Sequence, residues 1–318
     1  MTPILEIKNL KKHFHIAKNK TLHAVDGINL EIYPNEILGL VGESGCGKST
    51  LGRTLAGLYE KTSGEVRYKD KTLPQKYRVS DFALLAREIQ MIFQDPYSSL
   101  NPRMTVREII AEGPRIVGMW NSNEVDEKVK VWLERVGLSA DHASRYPHEF
   151  SGGQRQRLGI ARALAMEPKF VICDEPISAL DVSIQAQIIN LLAELKNKFG
   201  LTLLFIAHDL SMVRYVSNRM AVMYLGSIVE LGASDEVFFT PKHPYTQLLI
   251  GSNPEPDPVH EKKRAHVDLI GEIPTPINLG VGCRFAGRCP KVADRCRAET
   301  PLLKQTTQNH FVACHFVD

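Results

Sequence analysis

The chain has 318 residues, of which 43% are hydrophobic and 24% are charged, and its net charge is +3. This length has room for one large core with an appendage, or for two domains of ~100–200 residues each. The small net charge does not by itself indicate nucleic-acid binding, and no apolar run approaches the ~20 residues that span a bilayer. We therefore expect a globular protein that does not cross a membrane by itself.

The N-terminal segment favours a cytosolic location. Apolar and polar side chains alternate over residues 1–10, as in a strand. This segment lacks the positively charged residues followed by an apolar run that mark a secretory signal peptide. Structural disulfides are rare in the cytosol. We therefore interpret the six cysteines first as metal ligands or as free thiols.

The first 41 residues are rich in β-type patterns. Turn signals at Asp26-Gly27 and Pro34-Asn35 separate short apolar runs, which we predict as strands: Leu5 to Leu10, Ile28 to Ile32 and Ile37 to Val41. Phe14 lies in the same region. Its aromatic ring suits either the core or a face for an adenine ring.

The third strand leads into a stretch that fits the pattern G-x-x-x-x-G-K-[ST] of a phosphate-binding P-loop. Its residues are Gly42, Glu43, Ser44, Gly45, Cys46, Gly47, Lys48, Ser49 and Thr50. The glycines allow consecutive backbone N–H groups to surround phosphate oxygens, and the following helix directs its positive dipole end at them. Lys48 can then reach the β- and γ-phosphates, and the Ser49 hydroxyl can bind Mg²⁺.

Strands and helices follow in separate blocks. We predict strands over Glu65 to Tyr68 and over Ile89 to Phe93, the second of which ends at Gln94 before Asp95-Pro96. Between residues 105 and 137 the apolar side chains recur with helical spacing. We therefore predict a helical insert over roughly residues 95–150.

Two further motifs carry polar groups at element ends. Ser151-Gly152-Gly153-Gln154 opens a predicted helix, and such a start can bind an anion, although a plain capped helix has the same pattern. The apolar strand Phe170 to Glu175 ends in the carboxylates Asp174 and Glu175. In a P-loop protein one such carboxylate helps to hold Mg²⁺ and the next orients the attacking water. The alternative interpretation is that Asp174 and Glu175 are only the polar, solvent-facing end of a strand.

The remaining chain completes a core and adds an extension. His208 follows the predicted strand Leu201 to Ala207, and strand tips of α/β sheets gather ligand contacts, although a lone histidine is usually only a satisfied polar group. We expect a nucleotide-binding domain over residues 1–250, a linker over 251–270 and an extension over 271–318. Four cysteines lie in the extension: Cys283, Cys289, Cys296 and Cys314.

These motifs, in this order and spacing, resemble the ATP-binding subunits of ABC transporters over almost the whole of the first 250 residues. The ordered set is Gly42 to Thr50, Gln94, Ser151 to Gln154, Phe170 to Glu175, Ser178 to Asp181 and His208. The resemblance implies an α/β fold with a P-loop ATPase core, a β-rich N-terminal subdomain, a helical insert and a small cysteine-containing C-terminal extension. It also implies an ATPase that uses ATP and Mg²⁺.

The resemblance implies roles for the motif residues around the nucleotide. Phe14 is expected to stack on the adenine, Gln94 to sense Mg²⁺ and the membrane partner, and His208 to contact the γ-phosphate. Glu175 is expected to act as the general base, with Lys48 stabilising the phosphate charge. The expected Mg²⁺ ligands are Ser49, Gln94 and Asp174.

The resemblance also implies partners. Ser151 and Gly153 would close over nucleotide bound to a second ATPase subunit, and Asp181 would couple the two sites. The chain is thus expected to form a heterodimer with another ABC ATPase beneath two transmembrane permease subunits. This arrangement implies a peripheral protein at the cytoplasmic face of the inner (cell) membrane, with no nucleic-acid partner.

Further stretches resemble the dipeptide and oligopeptide permease group: Phe93 to Arg103, His243 to Gln247, and Gly271 to Pro276 leading into Cys283 to Pro290. Leu51-Gly52-Arg53 and Tyr97-Ser98-Ser99 favour the second of the two ATPases in such permeases. An extracytoplasmic peptide-binding protein is then an indirect partner. Importers of nickel chelates or glutathione in the same group stay open, because other subunits select the cargo. Two alternative functions belong to other classes. One is a soluble ABC ATPase that acts on DNA or ribosomes, and the other is a binding or regulatory module with a catalytically inactive site.

The four C-terminal cysteines have the spacing C-x₅-C-x₆-C-x₁₇-C, which differs from the C-x₂-C pairs of zinc ribbons. Four thiolates suit either Zn²⁺ or a [4Fe–4S] cluster. Some permease ATPases that resemble this chain carry a [4Fe–4S] cluster on such a tail, so we favour iron–sulfur over zinc or free thiols. Nearby basic residues are expected to lower the thiol pKa values: Arg284, Arg288, Lys291, Arg295 and Arg297. We interpret Cys46 and Cys173 as passive.

Overall fold

The computed structural model describes residues 2–178, 180–252 and 274–317. The chain divides into two compact units, of which the first combines Met1–Lys76 with Ile206–Asp318 and the second comprises Tyr77–Phe205. The predicted linker, residues 251–270, lies outside the described residues except for its first two. Across the described ranges, no helix is long and apolar enough to cross a membrane.

Within these ranges the strands are β1 (Leu5–Ala17), β2 (Lys20–Ile32), β3 (Ile37–Val41), β4 (Ser63–Tyr68), β5 (Lys71–Thr72), β6 (Ile89–Ile92), β7 (Phe170–Asp174), β8 (Thr202–Ala207), β9 (Arg219–Tyr224), β10 (Ser227–Ala233), β11 (Lys304–Thr307) and β12 (His310–Val312). The α-helices are α1 (Lys48–Leu55), α2 (Val79–Leu85), α3 (Pro96–Ser99), α4 (Val106–Ile116), α5 (Val125–Arg135), α6 (Gly152–Leu164), α7 (Val182–Phe199), α8 (Leu210–Val216), α9 (Ser234–Phe239), α10 (Pro244–Gly251) and α11 (Asp294–Ala298). Short 3₁₀ helices cover Ala140–Ser144 and Pro147–Glu149.

The first unit opens with an antiparallel sheet in the order β2-β1-β4-β5. β1 is longer than the predicted run from Leu5 to Leu10, because a register shift after Ile7 lets its pairing with β2 continue. Ala17 then pairs with Lys20 across a two-residue turn, in which Asn19 has a left-handed φ of 61°. The predicted β-rich start of the chain is thus confirmed, and the sheet extends further than the apolar pattern indicated.

A second sheet in the first unit has the order β11-β12-β10-β9-β3. The five residues of β3 are all buried, as expected for a parallel strand covered on both faces, and β3 pairs in parallel with β9. β12 comes from the predicted extension and pairs with β10. The extension therefore adds strands to the same sheet as β3, while the predicted domain limits stay a prediction.

In the part of the chain that the structure describes, the second unit contains α2 to α7 and both 3₁₀ helices. Its strands lie in the order β8-β7-β6, and β6 pairs with β7 in parallel. Thr105 and Glu108 form a reciprocal capping box at the start of α4. The apolar side chains that predicted helices between residues 105 and 137 form the core of this region, with Val106, Ile110, Val129 and Leu133 fully buried. The helical spacing and the α/β class are confirmed.

An ionic cluster attaches β12 to β10 and α9 within the first unit. His310 begins β12, and its Nε2 lies 2.8 Å from Glu230 Oε1 of β10, while its Nδ1 lies 2.9 Å from Glu236 Oε1 of α9. Glu230 is completely buried and also accepts hydrogen bonds from the backbone N–H groups of Lys242 and His243. Burial alone would lower the pKa of His310, but the hydrogen bonds to the two carboxylates raise it above its usual value.

This pKa shift predicts that the cluster stabilises the fold more at low pH than at high pH. Because the pKa of His310 is raised in the folded state, its contribution is fully present below pH ~6.5 and is lost as the pH rises through the folded pKa. We expect His310→Gln to lower the free energy of unfolding by about 1–3 kcal/mol at pH 6 and by less at pH 9. Urea unfolding of both proteins across this pH range measures the difference.

His15→Gln is the matched control, because His15 lies exposed on β1. That variant should follow the wild-type stability at every pH. A stability difference between His310→Gln and the wild type that does not change with pH would contradict the prediction.

Candidate functional site

The P-loop joins β3 to α1 in the first unit. Gly47 has a φ of 109°, and a Cβ atom placed on it would lie 1.9 Å from the carbonyl oxygen of Ala24. Gly45 has a φ of 79° but nothing within 4 Å of such a Cβ atom. Only glycine fits position 47, where the main chain turns closely past β2, and the turn leads the loop into the N-terminus of α1.

Lys48 is held by the loop itself. Its side chain is buried, and its Nζ donates to the carbonyl oxygens of Gly42 at 2.7 Å and of Glu43 at 3.1 Å. The Cys46 sulfur lies 3.9 Å from the same ammonium group. Burial raises the pKa of the Cys46 thiol, which supports a passive role. Ser44 and Gly45 are exposed, whereas Ser49 and Thr50 are partly buried in the first turn of α1.

Phe14 lies on β1 and is partly exposed, so the alternative that it belongs to the core is wrong. Its ring contacts Tyr59 edge to face, with the centroids 5.5 Å apart. The ammonium group of Lys12 lies 4.6 Å from the Phe14 centroid. Sequence reasoning missed Tyr59 and Lys12, because neither belongs to a motif.

In the second unit, Gln94 and Glu175 meet at the carboxyl ends of neighbouring strands. Ile92 of β6 pairs with Cys173 of β7, and Gln94 and Glu175 each lie two residues beyond that pair. The Gln94 amide donates to the Glu175 carboxylate at 3.0 Å. Glu175 has a left-handed φ of 45°, a strained conformation that is concentrated at functional sites. Asp174, the last residue of β7, is completely buried.

The signature motif lies at the start of α6 in the same unit. Ser151 caps the helix, and its hydroxyl accepts from the Gln154 N–H while the Gln154 side chain accepts from the Ser151 N–H. A Cβ atom on Gly153 would lie 2.6 Å from Ile184 of α7, so glycine allows the close approach of α6 and α7. Ser151 is exposed, and so is Asp181, the residue before α7.

His208 belongs to the first unit and follows β8. Its side chain is exposed at the carboxyl end of that strand. The next residue, Asp209, begins α8 by accepting hydrogen bonds from the N–H groups of Ser211 and Met212. The capped helix therefore fixes the chain direction immediately after the histidine.

The four C-terminal cysteines line one small cavity of about 10 Å³, together with Phe285 and His243. The prediction that neighbouring arginines lower the thiol pKa values is wrong for Cys283 and Cys289, because burial raises the pKa of both thiols. Two of those arginines are directed elsewhere: Arg284 binds Asp26, and Arg288 binds Glu43. The donor set of four thiols in one cavity nevertheless fits a soft-metal centre.

A second cluster was not predicted. Among the described residues, one group of three potential metal ligands has its ligand atoms within 4.8 Å of one another: His13, His23 and Asp26. No three of the four C-terminal thiols lie this close together. Asp26 already bonds Arg284, which holds its pKa at about 2 although burial alone would raise it. An adjacent guanidinium opposes a bound cation, so we interpret this cluster as structural.

Comparison with known proteins gives two family matches. Residues 25–178 match the family described as ABC transporter, and residues 229–296 match the family described as oligopeptide/dipeptide transporter, C-terminal region. The oligopeptide transport ATP-binding protein OppF of Bacillus subtilis is 56% identical over 98% of this chain and 96% of its own length. The Escherichia coli protein OppF is 51% identical over 99% of this chain and 96% of its own length.

Solved structures show the same fold. The dimeric ATP-binding cassette MJ0796 in a post-hydrolysis state with ADP and phosphate is 27% identical, with a TM-score of 0.66 over 72% of this chain and 98% of that one. The structure of cbiO1 from Clostridium perfringens is 29% identical, with a TM-score of 0.66 over 76% of this chain and 92% of that one. With relatives this similar over nearly its whole length, the chain belongs to the ABC transporter family of ATP-binding proteins, which are ATPases.

Proposed function

We propose that this chain is the energy-coupling ATPase subunit of an importer for oligopeptides or dipeptides. The observation that carries the proposal is the match of residues 229–296 to the C-terminal region of oligopeptide and dipeptide transporters. Relatives named as oligopeptide transport ATP-binding proteins extend over almost the whole chain. An importer of nickel chelates or glutathione is the second candidate, because the subunits that select cargo lie elsewhere.

The P-loop of the first unit supplies the phosphate-holding groups in this proposal. The P-loop backbone from Gly42 to Thr50 and the Lys48 ammonium hold the phosphates, and the partly exposed Phe14 receives the adenine ring. Side chains of Ser49, Gln94 and Asp174 are the proposed ligands of Mg²⁺. Their hydroxyl, amide and carboxylate oxygens are the hard ligands that Mg²⁺ prefers.

The chemistry is in-line attack of water on the γ-phosphoryl group, and positioning supplies most of the catalysis. We assign Glu175 to orient the water and accept its proton, with the Gln94 amide holding the carboxylate at 3.0 Å. His208 and Lys48 stabilise charge on the γ-phosphate oxygens. Mg²⁺, when bound, neutralises charge on the β- and γ-phosphates.

The proposed working form contains a second ATPase subunit. Ser151, Gly153 and Asp181 are assigned to nucleotide bound on that partner, and the exposure of Ser151 and Asp181 supports this assignment. The similar solved structures of MJ0796 are described as dimeric. Two transmembrane permease subunits would hold the heterodimer at the cytoplasmic face of the inner membrane, with an extracytoplasmic peptide-binding protein delivering cargo.

We also propose that Cys283, Cys289, Cys296 and Cys314 hold a [4Fe–4S] cluster, with Zn²⁺ as the alternative. Four thiols around one cavity support a metal centre of either kind.

The central functional prediction concerns Glu175→Gln in the complex with the permease subunits and the binding protein, reconstituted in vesicles. We expect the wild-type complex to take up a labelled tripeptide with ATP. The variant should bind MgATP normally, but its hydrolysis and uptake should fall by at least about 100-fold because the water loses its base. Nucleotide binding, phosphate release and uptake are measured on the same preparation.

Glu194→Gln is the control, since Glu194 is an exposed carboxylate on α7. That variant should hydrolyse ATP and transport at the wild-type rate. Near-normal hydrolysis by Glu175→Gln would contradict the base assignment. Uptake of a nickel chelate or of glutathione, but not of peptides, would replace the proposed cargo with the second candidate.

A second prediction distinguishes two glycines of the P-loop that both have a positive φ. Gly47→Ala places a Cβ atom 1.9 Å from the Ala24 carbonyl oxygen, whereas Gly45→Ala meets no atom within 4 Å. Both variants carry the strain of a positive φ, which costs about 1 kcal/mol or more, but only Gly47→Ala must displace β2. We expect Gly47→Ala to abolish MgATP binding and Gly45→Ala to weaken it by about tenfold. Equal affinities in a fluorescent-nucleotide titration would contradict this prediction.

A third prediction concerns the cysteine extension. Protein purified without oxygen should contain about four iron atoms per chain and show the broad visible absorbance of an iron–sulfur centre. Cys283→Ser or Cys296→Ser should lose most of the iron, whereas Cys173→Ala, which alters a buried thiol in β7, should retain it. Zinc without iron in the wild-type protein would contradict the [4Fe–4S] assignment.

A further inference from the structure

The cysteine extension contacts the P-loop directly. Arg288 Nη1 lies 2.8 Å from Glu43 Oε2, and Arg288 Nη2 lies 3.0 Å from Glu43 Oε1. The exposed fractions of the two side chains are only 4% for Arg288 and 14% for Glu43. A bidentate arginine–carboxylate pair of this kind fixes the orientation of both side chains. Because the pair is largely buried, water screens the attraction between its charges less than in a surface pair.

Glu43 links this pair to the phosphate-binding lysine. Its backbone carbonyl accepts a hydrogen bond from Lys48 Nζ at 3.1 Å. Its backbone N–H donates to the hydroxyl of Tyr245 at 3.0 Å, and Tyr245 is fully buried in α10. The side chain, the amide and the carbonyl of Glu43 are therefore each held, and the side chain is held by Arg288.

Arg288 is fixed in turn by the loop between Cys283 and Cys289. Its backbone N–H donates to the carbonyl of Phe285, which is 1% exposed. The Phe285 ring packs on Tyr224 and Tyr245, with centroid distances of 5.3 and 5.5 Å. The loop is thus anchored in an aromatic cluster, and Arg288 extends from it to the P-loop.

Arg284, from the same loop, makes a second attachment. Its guanidinium binds the Asp26 carboxylate and the carbonyl oxygen of Leu225. Asp26 also bonds His13, the residue next to Phe14 on β1. One short loop therefore contacts the P-loop through Arg288, and Arg284 and Asp26 link the same loop to the strand that carries Phe14.

We propose that Arg288 is a positioning residue for ATP binding, which holds Glu43 so that the P-loop keeps its phosphate-binding conformation. This inference rests on the proposed nucleotide site. Arg288 acts through Glu43 in two ways. It fixes the carbonyl that receives Lys48, and it neutralises a carboxylate that would otherwise repel the negative charges of ATP. Both effects concern the binding of MgATP more than the subsequent step of water attack.

The test compares MgATP binding and steady-state ATPase activity in the assembled complex. We expect Arg288→Ala to raise the Kd and the KM for ATP by about tenfold while kcat changes by less than about twofold. Arg295→Ala is the matched control, because this arginine of the same extension forms an exposed pair with Glu299. The control should bind ATP as the wild type does.

A double-mutant cycle assigns the effect to the contact. In a Glu43→Ala background, Arg288→Ala should change the Kd by less than about twofold, because its partner is already absent. A tenfold loss in both backgrounds would overturn the proposal, and so would wild-type affinity in Arg288→Ala. A fall in kcat without a change in KM would also overturn it.

Arg288→Lys keeps the inference testable if Arg288→Ala does not fold. Lysine retains the positive charge but cannot form the bidentate pair that the planar guanidinium makes. The KM of Arg288→Lys for ATP should therefore exceed that of the wild type. If Arg288→Ala also folds, the KM of Arg288→Lys should lie below that of the alanine variant. A wild-type KM in this variant would overturn the proposal. Failure of the wild-type complex to bind MgATP would instead refute the proposed function, so the two failures are distinguishable.

Discussion

A buried ammonium group imposes the central constraint on the first unit. Lys48 is 4% exposed, and a charge removed from water must be solvated by the protein. The carbonyl oxygens of Gly42 and Glu43 provide this solvation at 2.7 and 3.1 Å. Their directions depend on the glycine turns and on the residues that fix Glu43, so the surrounding packing serves to keep two carbonyl groups pointing at one lysine.

The second unit follows a different constraint, which is strand register. β6 and β7 are parallel and aligned at Ile92 and Cys173, so the residues that follow them emerge side by side. Gln94 and Glu175 meet for this reason, although 81 residues separate them. The left-handed φ of Glu175 shows that the main chain turns sharply at this point, where a strained residue is held by its surroundings.

Local patterns explain which features could be predicted from the sequence. The P-loop, the capped start of α6 and the strand that ends at Asp174 each depend on neighbouring residues, so their motifs carry the information. The contact between Arg288 and Glu43 joins residues 245 positions apart, and no local pattern contains it. The pKa shifts of the Cys283 and Cys289 thiols were predicted with the wrong sign, because the sequence shows the nearby charges but neither the burial of these thiols nor the direction of the arginines.

The composition of the first unit has a consequence for synthesis. Its two parts, Met1–Lys76 and Ile206–Asp318, are separated in the chain by the whole of the second unit. β3 acquires its parallel neighbour β9, and Glu43 acquires Arg288, only after those later segments have left the ribosome. Such long-range contacts fold slowly and leave strand edges uncovered while translation continues. We therefore expect the nascent chain to depend on protection from aggregation until the cysteine extension has emerged.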